Sequence, residues 1–243
     1  MSFNNRSDAL IELLEELNES GLQYVLVGGY AVSVFNTRFS TDLDIVVAPE
    51  NKGLFVEFLE DREFEETDSH AKQWYYDTEV IEYTKRLTPQ QPIGFDMLVN
   101  GLGCRQTEAQ WSFDYLHDYS RAQEVSGGTM TTTARVVDGS VLVAAKLHSA
   151  RETDLRDVLA VAEEIDLETV TQHLHRGKES SLRTQLEQGL EILESDELKH
   201  GFRSDFGASA VSTATVSSLQ EYLSEALLKS YSSDIIPSET AGR

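Results

Sequence analysis

The sequence predicts an α+β fold, in which a mixed sheet with flanking helices is followed by a mostly helical C-terminal region. Two observations predict it. Up to about residue 99, short runs of β-branched and aromatic residues alternate with helical patterns, and from Ser140 onward nearly every pattern has helical spacing. We therefore expect a core over residues 1–137, a helical region over 138–231 and a flexible tail over 232–243.

The core is expected to hold strands that alternate with helices. Leucines at helical spacing among glutamates predict the first helix, and the apolar run Tyr24–Val27 before Gly28 suits a buried strand. A second strand ends before Pro49. The expected elements are a helix over 7–19, a strand over 24–27, a short helix over 30–35, a strand over 42–47, a helix over 50–60, and strands over 74–87 and 93–99.

The second half is expected to be helical throughout. The predicted helices cover 140–151, 153–163, 167–175, 179–195 and roughly 208–230. Its histidines show no pairing at metal spacing, so His148, His173 and His175 are expected on helix surfaces.

Charge is the strongest feature of the composition. The chain has 42 acidic and 20 basic residues, a net charge of −22. Such an excess is similar to that of proteins from halophilic archaea, whose surfaces stay dispersed in concentrated salt. The same charge argues against a broad nucleic-acid-binding surface, because neutralising phosphates needs clustered lysine and arginine.

No transmembrane segment or secretory signal is expected, because apolar runs are short and the N-terminus leads directly into an acidic amphipathic helix. The single cysteine, Cys104, cannot form an internal disulfide and suits a reduced compartment. We therefore expect a cytoplasmic protein without a membrane partner.

Two aspartates carry the main chemical hypothesis. Asp42 and Asp44 are two residues apart in the predicted strand over 42–47, so their side chains share one face while Leu43 and Ile45 anchor the other. Paired carboxylates in an apolar strand resist desolvation, and a bound cation removes that cost. The pair therefore predicts a site for Mg²⁺ or Mn²⁺, although a strand that enters from a solvated loop also explains it.

Asp96 is the candidate third carboxylate. In the strand over 93–99 the odd positions are apolar, which leaves Asp96 on the opposite face. If this strand lies beside the first, Asp96 can complete a two-metal site or serve as a general base. A partly exposed strand carboxylate without a role is the alternative.

Gly28 and Gly29 follow the first strand and precede a short helix. Without Cβ atoms they allow phosphate to approach, and their N–H groups can face an anion, although most Gly-Gly pairs are only turns. Their order and their spacing from Asp42 favour the phosphate site.

The segment from Tyr24 to Ile45, with Gly28-Gly29 and the pattern Arg38-x-x-Thr41-Asp42-x-Asp44, resembles the signature of the DNA-polymerase-β-like nucleotidyltransferases. This sequence pattern is most similar to that of the AbiEii-type and minimal nucleotidyltransferase toxins. The resemblance implies a nucleotidyltransferase-fold sheet, an NTP substrate near Gly28, Gly29, Arg38 and Thr41, and metal at Asp42, Asp44 and Asp96. Arg38 could instead orient the aspartates or form only a salt bridge.

A looser resemblance to the same toxins covers Lys146 and the acidic helix that follows it. It implies a catalytic Lys146, which could contact phosphate or pack its stem on the core with its ammonium in water. The roles of Arg151, Asp154 and Asp157 stay open, because Thr153 is a good N-cap and the aspartates could simply stabilise the first helical turn.

The resemblance implies transfer of a nucleoside monophosphate from an NTP to an acceptor hydroxyl. It suggests tRNA or protein as acceptor, and a cognate antitoxin as partner. Two alternatives stay open: an antibiotic-type enzyme that modifies a small molecule, and a catalytically silent binding module of the same fold. The sequence does not name the nucleotide or the oligomeric state.

Overall fold

A computed structural model describes residues 4–38, 40–67, 73–75, 77–207 and 211–233. Within these ranges the predicted fold class is confirmed, because a mixed sheet with flanking helices precedes a region made only of helices. Most of the tail predicted over 232–243 lies outside the described residues. The boundary proposed at residue 137 falls between the last strand and the next helix.

The core holds ten strands and four α-helices in the described residues. They are α1 (Asn4–Ser20), β1 (Tyr24–Val27), α2 (Gly28–Ser33), β2 (Asp42–Val47), α3 (Lys52–Glu60), β3 (Glu65–Glu66), β4 (Gln73–Tyr75), β5 (Thr78–Thr88), β6 (Gln91–Val99), β7 (Gly101–Cys104), β8 (Ala109–Ser112), α4 (Phe113–Asp118), β9 (Ser120–Ser126) and β10 (Thr131–Val137). A 3₁₀ turn over Pro49–Asn51 leads into α3.

The helical region follows without further strands in the described residues. It contains α5 (Gly139–Ser149), α6 (Glu152–Ala162), a 3₁₀ turn (Leu167–Val170), α7 (Thr171–Leu174), α8 (Glu179–Leu193), α9 (Asp196–Phe206) and α10 (Thr213–Ser233). Among the described residues, no helix is both long enough and apolar enough to cross a membrane.

The main sheet places β1 and β2 near its centre. Its order is β3-β5-β6-β2-β1-β10-β9, and β4 also pairs with β5. Two pairings are parallel, β1 with β10 and β2 with β6, and the others are antiparallel. A separate hairpin, β7–β8, leaves the end of β6. The sheet is therefore mixed, as predicted, with the aspartate strands side by side.

Alternation along β2 builds the core on one face of the sheet. Leu43, Ile45 and Val47 are fully buried, as is Phe95 on the neighbouring strand β6. Burying each such side chain contributes roughly 1.5–3 kcal/mol, which anchors the register of these strands. A one-residue slip would expose this apolar set and bury the aspartates, so the same pattern fixes where the carboxylates point.

Several elements differ from the sequence prediction. The strand expected over 74–87 is the hairpin β4–β5, the short helix α2 begins at Gly28 instead of Tyr30, and the last helix begins at Thr213. The elements between residues 100 and 138, and helix α9, were not predicted. Strand β9 has mostly exposed or half-buried side chains, so it lacks the apolar alternation that marks a strand.

Two of the three histidines expected on the surface are buried. His148 and His173 are fully buried, whereas His175 is exposed as predicted. Burial raises the cost of charging His148 and lowers its pKa to about 4, so the neutral ring bridges Thr107 Oγ1 and the carbonyl of Leu174. His148 therefore ties the loop between β7 and β8 to the helical region.

Candidate active site

The three predicted carboxylates lie together on one face of the sheet. Strands β2 and β6 pair in parallel with Asp44 opposite Asp96 and Asp42 opposite Gly94. Because side chains two residues apart share a face, Asp42 and Asp44 project on the same side as Asp96. A Cβ added at Gly94 would lie 3.0 Å from the Cβ of Asp42, so this glycine leaves room beside Asp42.

Burial and mutual repulsion destabilise the ionised forms of Asp44 and Asp96. Burial and then repulsion from Asp42 raise the pKa of Asp44 to about 6, against the weaker opposing charge of Lys146. Burial, followed by repulsion from Asp44 and Asp42, raises the pKa of Asp96 to about 7. Near neutral pH, Asp44 and Asp96 therefore bind protons more tightly than free aspartates would. A bound cation would stabilise their ionised forms.

Gly28 packs so closely against Asp44 that no side chain fits at its position. Its φ is +62°, and a Cβ at this position would lie 1.9 Å from Asp44 Oδ2. The N–H of Gly29 hydrogen-bonds to the same carboxylate and lowers its pKa in part. In this structure, the Gly28-Gly29 turn therefore seats the Asp44 side chain. Binding of phosphate by this turn stays a prediction.

Arg38 and Thr41 contact two different aspartates. The Thr41 hydroxyl donates a hydrogen bond to Asp42 Oδ1. The guanidinium of Arg38 forms a salt bridge with Asp157 of α6, which is 3% exposed. Of the three roles considered for Arg38, the structure thus shows the salt bridge, and the arginine also lowers the pKa of Asp44 by its charge.

Lys146 joins the same buried network from α5. Its Nζ lies 2.6 Å from Asp157 Oδ2 and 3.4 Å from Asp154 Oδ1, and its side chain is 13% exposed. The alternative in which its ammonium extends into water is therefore wrong. Both aspartates of α6 are buried, so each needs these cationic partners.

The start of α6 also differs from the expectation. The N-cap is Arg151, whose N–H donates to Asp154 Oδ2 at 3.3 Å, and Thr153 lies inside the first turn. Burial raises the pKa of Asp154, but hydrogen bonds from Arg151 and Ser149 and the charge of Lys146 outweigh it and lower the pKa overall. Capping is therefore only part of the role of Asp154.

A cleft of about 660 Å³ opens beside Asp44. It is lined by residues of α5 and the start of α6, namely Lys146, Ser149 and Arg151, and by residues of the β7–β8 hairpin. Asp44 and Gly28 line the cleft, whereas Asp42 and Asp96 are not part of its lining. Of the three carboxylates, Asp44 is therefore the one that a ligand in this cleft would meet.

The three carboxylates suit a divalent cation by charge and by donor type, because rigid oxygen ligands favour Mg²⁺ or Mn²⁺. Among the residues that the structure describes, no group of three or more His, Cys, Asp or Glu side chains already surrounds one point. A bound cation would therefore have to draw Asp42, Asp44 and Asp96 closer together than they lie here.

The hairpin β7–β8 is the part of the site that the sequence did not predict. Leu102, Cys104, Gln106 and Trp111 of this hairpin and its loop line the cleft. The only usable signal was the pair of glycines, Gly101 and Gly103, flanking Leu102 directly after a strong strand, which marks a bend or close approach of backbone.

Comparison with known proteins supports the fold. ANT(2″)-Ia, solved in complex with adenylyl-2″-tobramycin, is similar at a TM-score of 0.50 and 13% identity, over 74% of this chain and 98% of that one. The chain has the nucleotidyltransferase fold. A candidate nucleotidyltransferase from H. pylori is similar at a TM-score of 0.48 and 14% identity, over 94% of this chain and 96% of that one.

The lincosamide antibiotic adenylyltransferase LnuA, solved with lincomycin, is similar at a TM-score of 0.44 and 17% identity, over 65% of this chain and 97% of that one. No protein-family model matches the chain. No curated protein matches it either.

Proposed function

We propose that the protein is a metal-dependent nucleotidyltransferase, which moves a nucleoside monophosphate from an NTP to an acceptor hydroxyl and releases pyrophosphate. The observation that carries the proposal is the pairing of Asp44 with Asp96 on adjacent parallel strands, with Asp42 on the same face. Three mutually repelling carboxylates, one of which lines a cleft of nucleotide size, are a costly arrangement that a bound cation would relieve.

In this proposal Asp42, Asp44 and Asp96 hold Mg²⁺ or Mn²⁺. The bound cation would neutralise the triphosphate and the charge that develops on the leaving pyrophosphate. Lys146 and Arg38 bring positive charge to the same place, since both lower the pKa of Asp44. Gly28, Gly29 and Thr41 border the triphosphate, and the N–H of Gly29 keeps the carboxylate of Asp44 in position.

Asp96 can also move a proton. Without a bound cation its pKa is raised to about 7, but a cation held by Asp96 would lower that pKa, so the role of general base applies where Asp96 is not itself a metal ligand. We propose that the acceptor hydroxyl approaches from the side of Asp96, outside the cleft, and gives its proton to this carboxylate. The hydroxyl oxygen then bonds to the α-phosphorus, and the bond to pyrophosphate breaks.

The acceptor completes the proposed reaction, and tRNA or protein is our first candidate. It follows the resemblance to AbiEii-type toxins over Tyr24 to Ile45 and at Lys146. On this proposal the protein acts as the toxin of a toxin–antitoxin pair, and a cognate antitoxin is a partner. The net charge of −22 means that any contact with RNA has to be local.

A small-molecule acceptor is the second candidate, and two observations favour it. The net charge of −22 would attract a cationic acceptor. The fold is shared with ANT(2″)-Ia, which was solved with a modified tobramycin. A silent binding module remains the alternative from a different class, because the carboxylates are not gathered around one point among the described residues.

Label transfer tests the proposal directly. Purified protein is incubated in molar KCl with Mg²⁺, each α-labelled NTP in turn, and RNA, protein or aminoglycoside as acceptor. The double variant Asp42→Asn/Asp44→Asn should abolish transfer and keep the fold. The matched control is Asp196→Asn, an exposed carboxylate at the start of α9, and it should transfer label normally.

Each result points to one acceptor. Label on RNA alone supports the tRNA-type enzyme, label on protein supports protein nucleotidylation, and label on aminoglycoside alone supports the small-molecule candidate. Transfer that survives in the Asp42/Asp44 double variant would overturn the mechanism. Metal binding without transfer to any acceptor would favour the silent module.

A further inference from the structure

The sheet supports Asp42 on one side only. Strand β1 pairs with β2 as far as Val27 opposite Asp44, and in the described part of the chain this ladder does not extend to Asp42. Beyond Val27 the chain turns into α2. Asp42 lies opposite Gly94 of β6 on its other side. Asp44 thus has a partner on both neighbouring strands, whereas the position of Asp42 depends more on contacts outside the sheet.

The side chain of Tyr30 provides a contact on the open side. Tyr30 belongs to α2 and is buried, and its hydroxyl lies 3.4 Å from the carbonyl oxygen of Ser40, two residues before Asp42. The hydroxyl is the donor, because a carbonyl oxygen can only accept. The distance is long for a hydrogen bond between two oxygens, so this contact alone would hold the segment loosely.

Ser7 of α1 orients the hydroxyl of Tyr30. Ser7 is buried, and its side chain forms a hydrogen bond with that of Tyr30. Burial raises the pKa of Tyr30 to about 12, the hydrogen bond with Ser7 opposes this rise, and the charge of Asp42 adds to it. A hydrogen bond that favours the ionised tyrosine is one that its oxygen accepts. Ser7 therefore donates to Tyr30, which leaves the proton of Tyr30 for the carbonyl of Ser40.

Further contacts of this segment come from the active site itself. A Cβ added at Gly29 would lie 3.0 Å from Ser40 Oγ, so the side chain of Ser40 packs directly on this glycine. The N–H of Gly94 donates to the carbonyl of Thr41 at 2.9 Å. Together with the Tyr30 hydroxyl, these contacts fix the direction in which the chain enters β2.

We propose that Tyr30, oriented by Ser7, is a positioning residue for Asp42 as a metal ligand. The inference rests on the proposed function, in which three carboxylates of the sheet hold the cation. Among the described residues these carboxylates do not yet surround one point, so binding has to order them. A segment that is fixed at Ser40 leaves less conformational freedom for Asp42 to lose when the cation binds. Tyr30 acts through Ser40 and does not touch the metal.

Binding of Mn²⁺ tests this role without turnover. Titration calorimetry on the full chain in molar KCl measures the dissociation constant of Mn²⁺ alone. The variant Tyr30→Phe removes the hydroxyl and keeps the buried ring. The matched control, Tyr24→Phe, removes another buried tyrosine hydroxyl, which donates to Asn18 Oδ1 at 2.9 Å near the opposite end of the ladder between β1 and β2.

We expect Tyr30→Phe to weaken Mn²⁺ binding by about five- to tenfold, the loss that corresponds to one hydrogen bond, and Tyr24→Phe to leave the dissociation constant unchanged. Ser7→Ala should weaken binding by a smaller factor. It should add nothing in the Tyr30→Phe background, because Ser7 acts only through the hydroxyl of Tyr30. Chemical denaturation of each variant measures the accompanying change in stability.

The outcomes separate this role from the proposed function. An unchanged dissociation constant in Tyr30→Phe, or equal losses of affinity in the two tyrosine variants, would overturn the positioning role and leave the carboxylate site standing. If Tyr30→Phe does not fold, Ser7→Ala carries the test, and unchanged Mn²⁺ binding in that variant would overturn the role.

The wild-type chain supplies the remaining outcomes. If it does not bind Mn²⁺, the proposed metal-dependent function fails and the positioning role fails with it. If Tyr30→Phe weakens Mn²⁺ binding but the wild-type chain transfers no label to any acceptor, the proposed catalysis fails and the positioning role stands.

Discussion

Gly28 and Asp44 form a contact so close that the carboxylate takes the space of a side chain: a Cβ at residue 28 would lie 1.9 Å from Asp44 Oδ2. The two residues belong to different elements, the start of α2 and the middle of β2. The glycine is therefore required by its neighbour as well as by its positive φ of 62°.

Gly28→Ala should destabilise the protein by about 3 kcal/mol or more, because a left-handed alanine and a displaced Asp44 both cost free energy. Chemical denaturation measures the loss. Gly21→Ala is the matched control, since Gly21 has a φ of +73° but a Cβ added there would meet no atom within 4 Å. Equal losses of stability in the two variants would show that backbone strain alone explains the effect of Gly28→Ala, without a contribution from Asp44.

Asp44→Asn should stabilise the protein without metal while it abolishes transfer. The pKa of Asp44 is about 6 against an ordinary value of 3.8, so its ionisation above pH 7 costs the fold about 2–3 kcal/mol. Asparagine removes that charge and keeps an oxygen for the N–H of Gly29. Denaturation in EDTA measures the gain.

The matched control is Asp154→Asn on α6. Hydrogen bonds and cationic neighbours lower the pKa of Asp154 overall, so this substitution should destabilise the protein. A loss of stability in both variants would contradict the view that Asp44 is repelled and Asp154 is paired.

The raised pKa values also predict how stability depends on pH. Between about pH 4 and 7 the folded protein binds more protons at Asp44 and Asp96 than the unfolded chain does, so stability without metal should fall as pH rises through about 6 and 7. A cation competes with those protons, so the rise in Tm caused by Mg²⁺ should be small at pH 5 and largest near pH 8. Thermal scans in EDTA and in Mg²⁺ measure both trends. A metal effect that is independent of pH would contradict the assignment of these carboxylates.

The strands that carry the carboxylates could be predicted because the pattern that defines them lies within a few consecutive residues. Alternation along β2 and β6 fixes the face on which Asp42, Asp44 and Asp96 lie, and apolar neighbours fix the register. The pairing of Arg38 with Asp157 could not be predicted in this way, because the two residues are 119 positions apart in the chain. Only the packing of α6 against the core brings them together.

The burial of His148 was missed for a related physical reason. A single histidine on a helix carries no signal of burial, and here a tertiary contact with Thr107 decides it. The hairpin β7–β8 was not predicted, because Gly101 and Gly103 weaken the strand pattern in its first strand. The aspartate that lines the cleft could therefore be predicted from local sequence, and the β7–β8 hairpin that also lines it could not.

The acidic surface predicts a dependence on salt. At a net charge of −22, repulsion within the fold is long-ranged in dilute buffer and is screened within about 3 Å at 1 M salt. Tm should therefore rise by at least several degrees between dilute and molar KCl. An uncharged osmolyte at matched osmolality is the control. Equal stability and solubility with and without KCl would contradict the halophilic interpretation.

Asp157 should matter for stability and catalysis although it is not one of the three carboxylates on the sheet. It is 3% exposed and pairs with both Arg38 and Lys146, so Asp157→Asn would leave two cations without their shared partner. We expect a loss of about 3–5 kcal/mol in stability and a lower kcat, because Lys146 and Arg38 would no longer be held beside Asp44. Arg151→Met is the comparison, since the side chain of Arg151 is 69% exposed and its ion pair should contribute about 1 kcal/mol or less. Denaturation and label transfer are measured on both variants. If Asp157→Asn behaves like Arg151→Met in both measurements, the buried network does not position the active site.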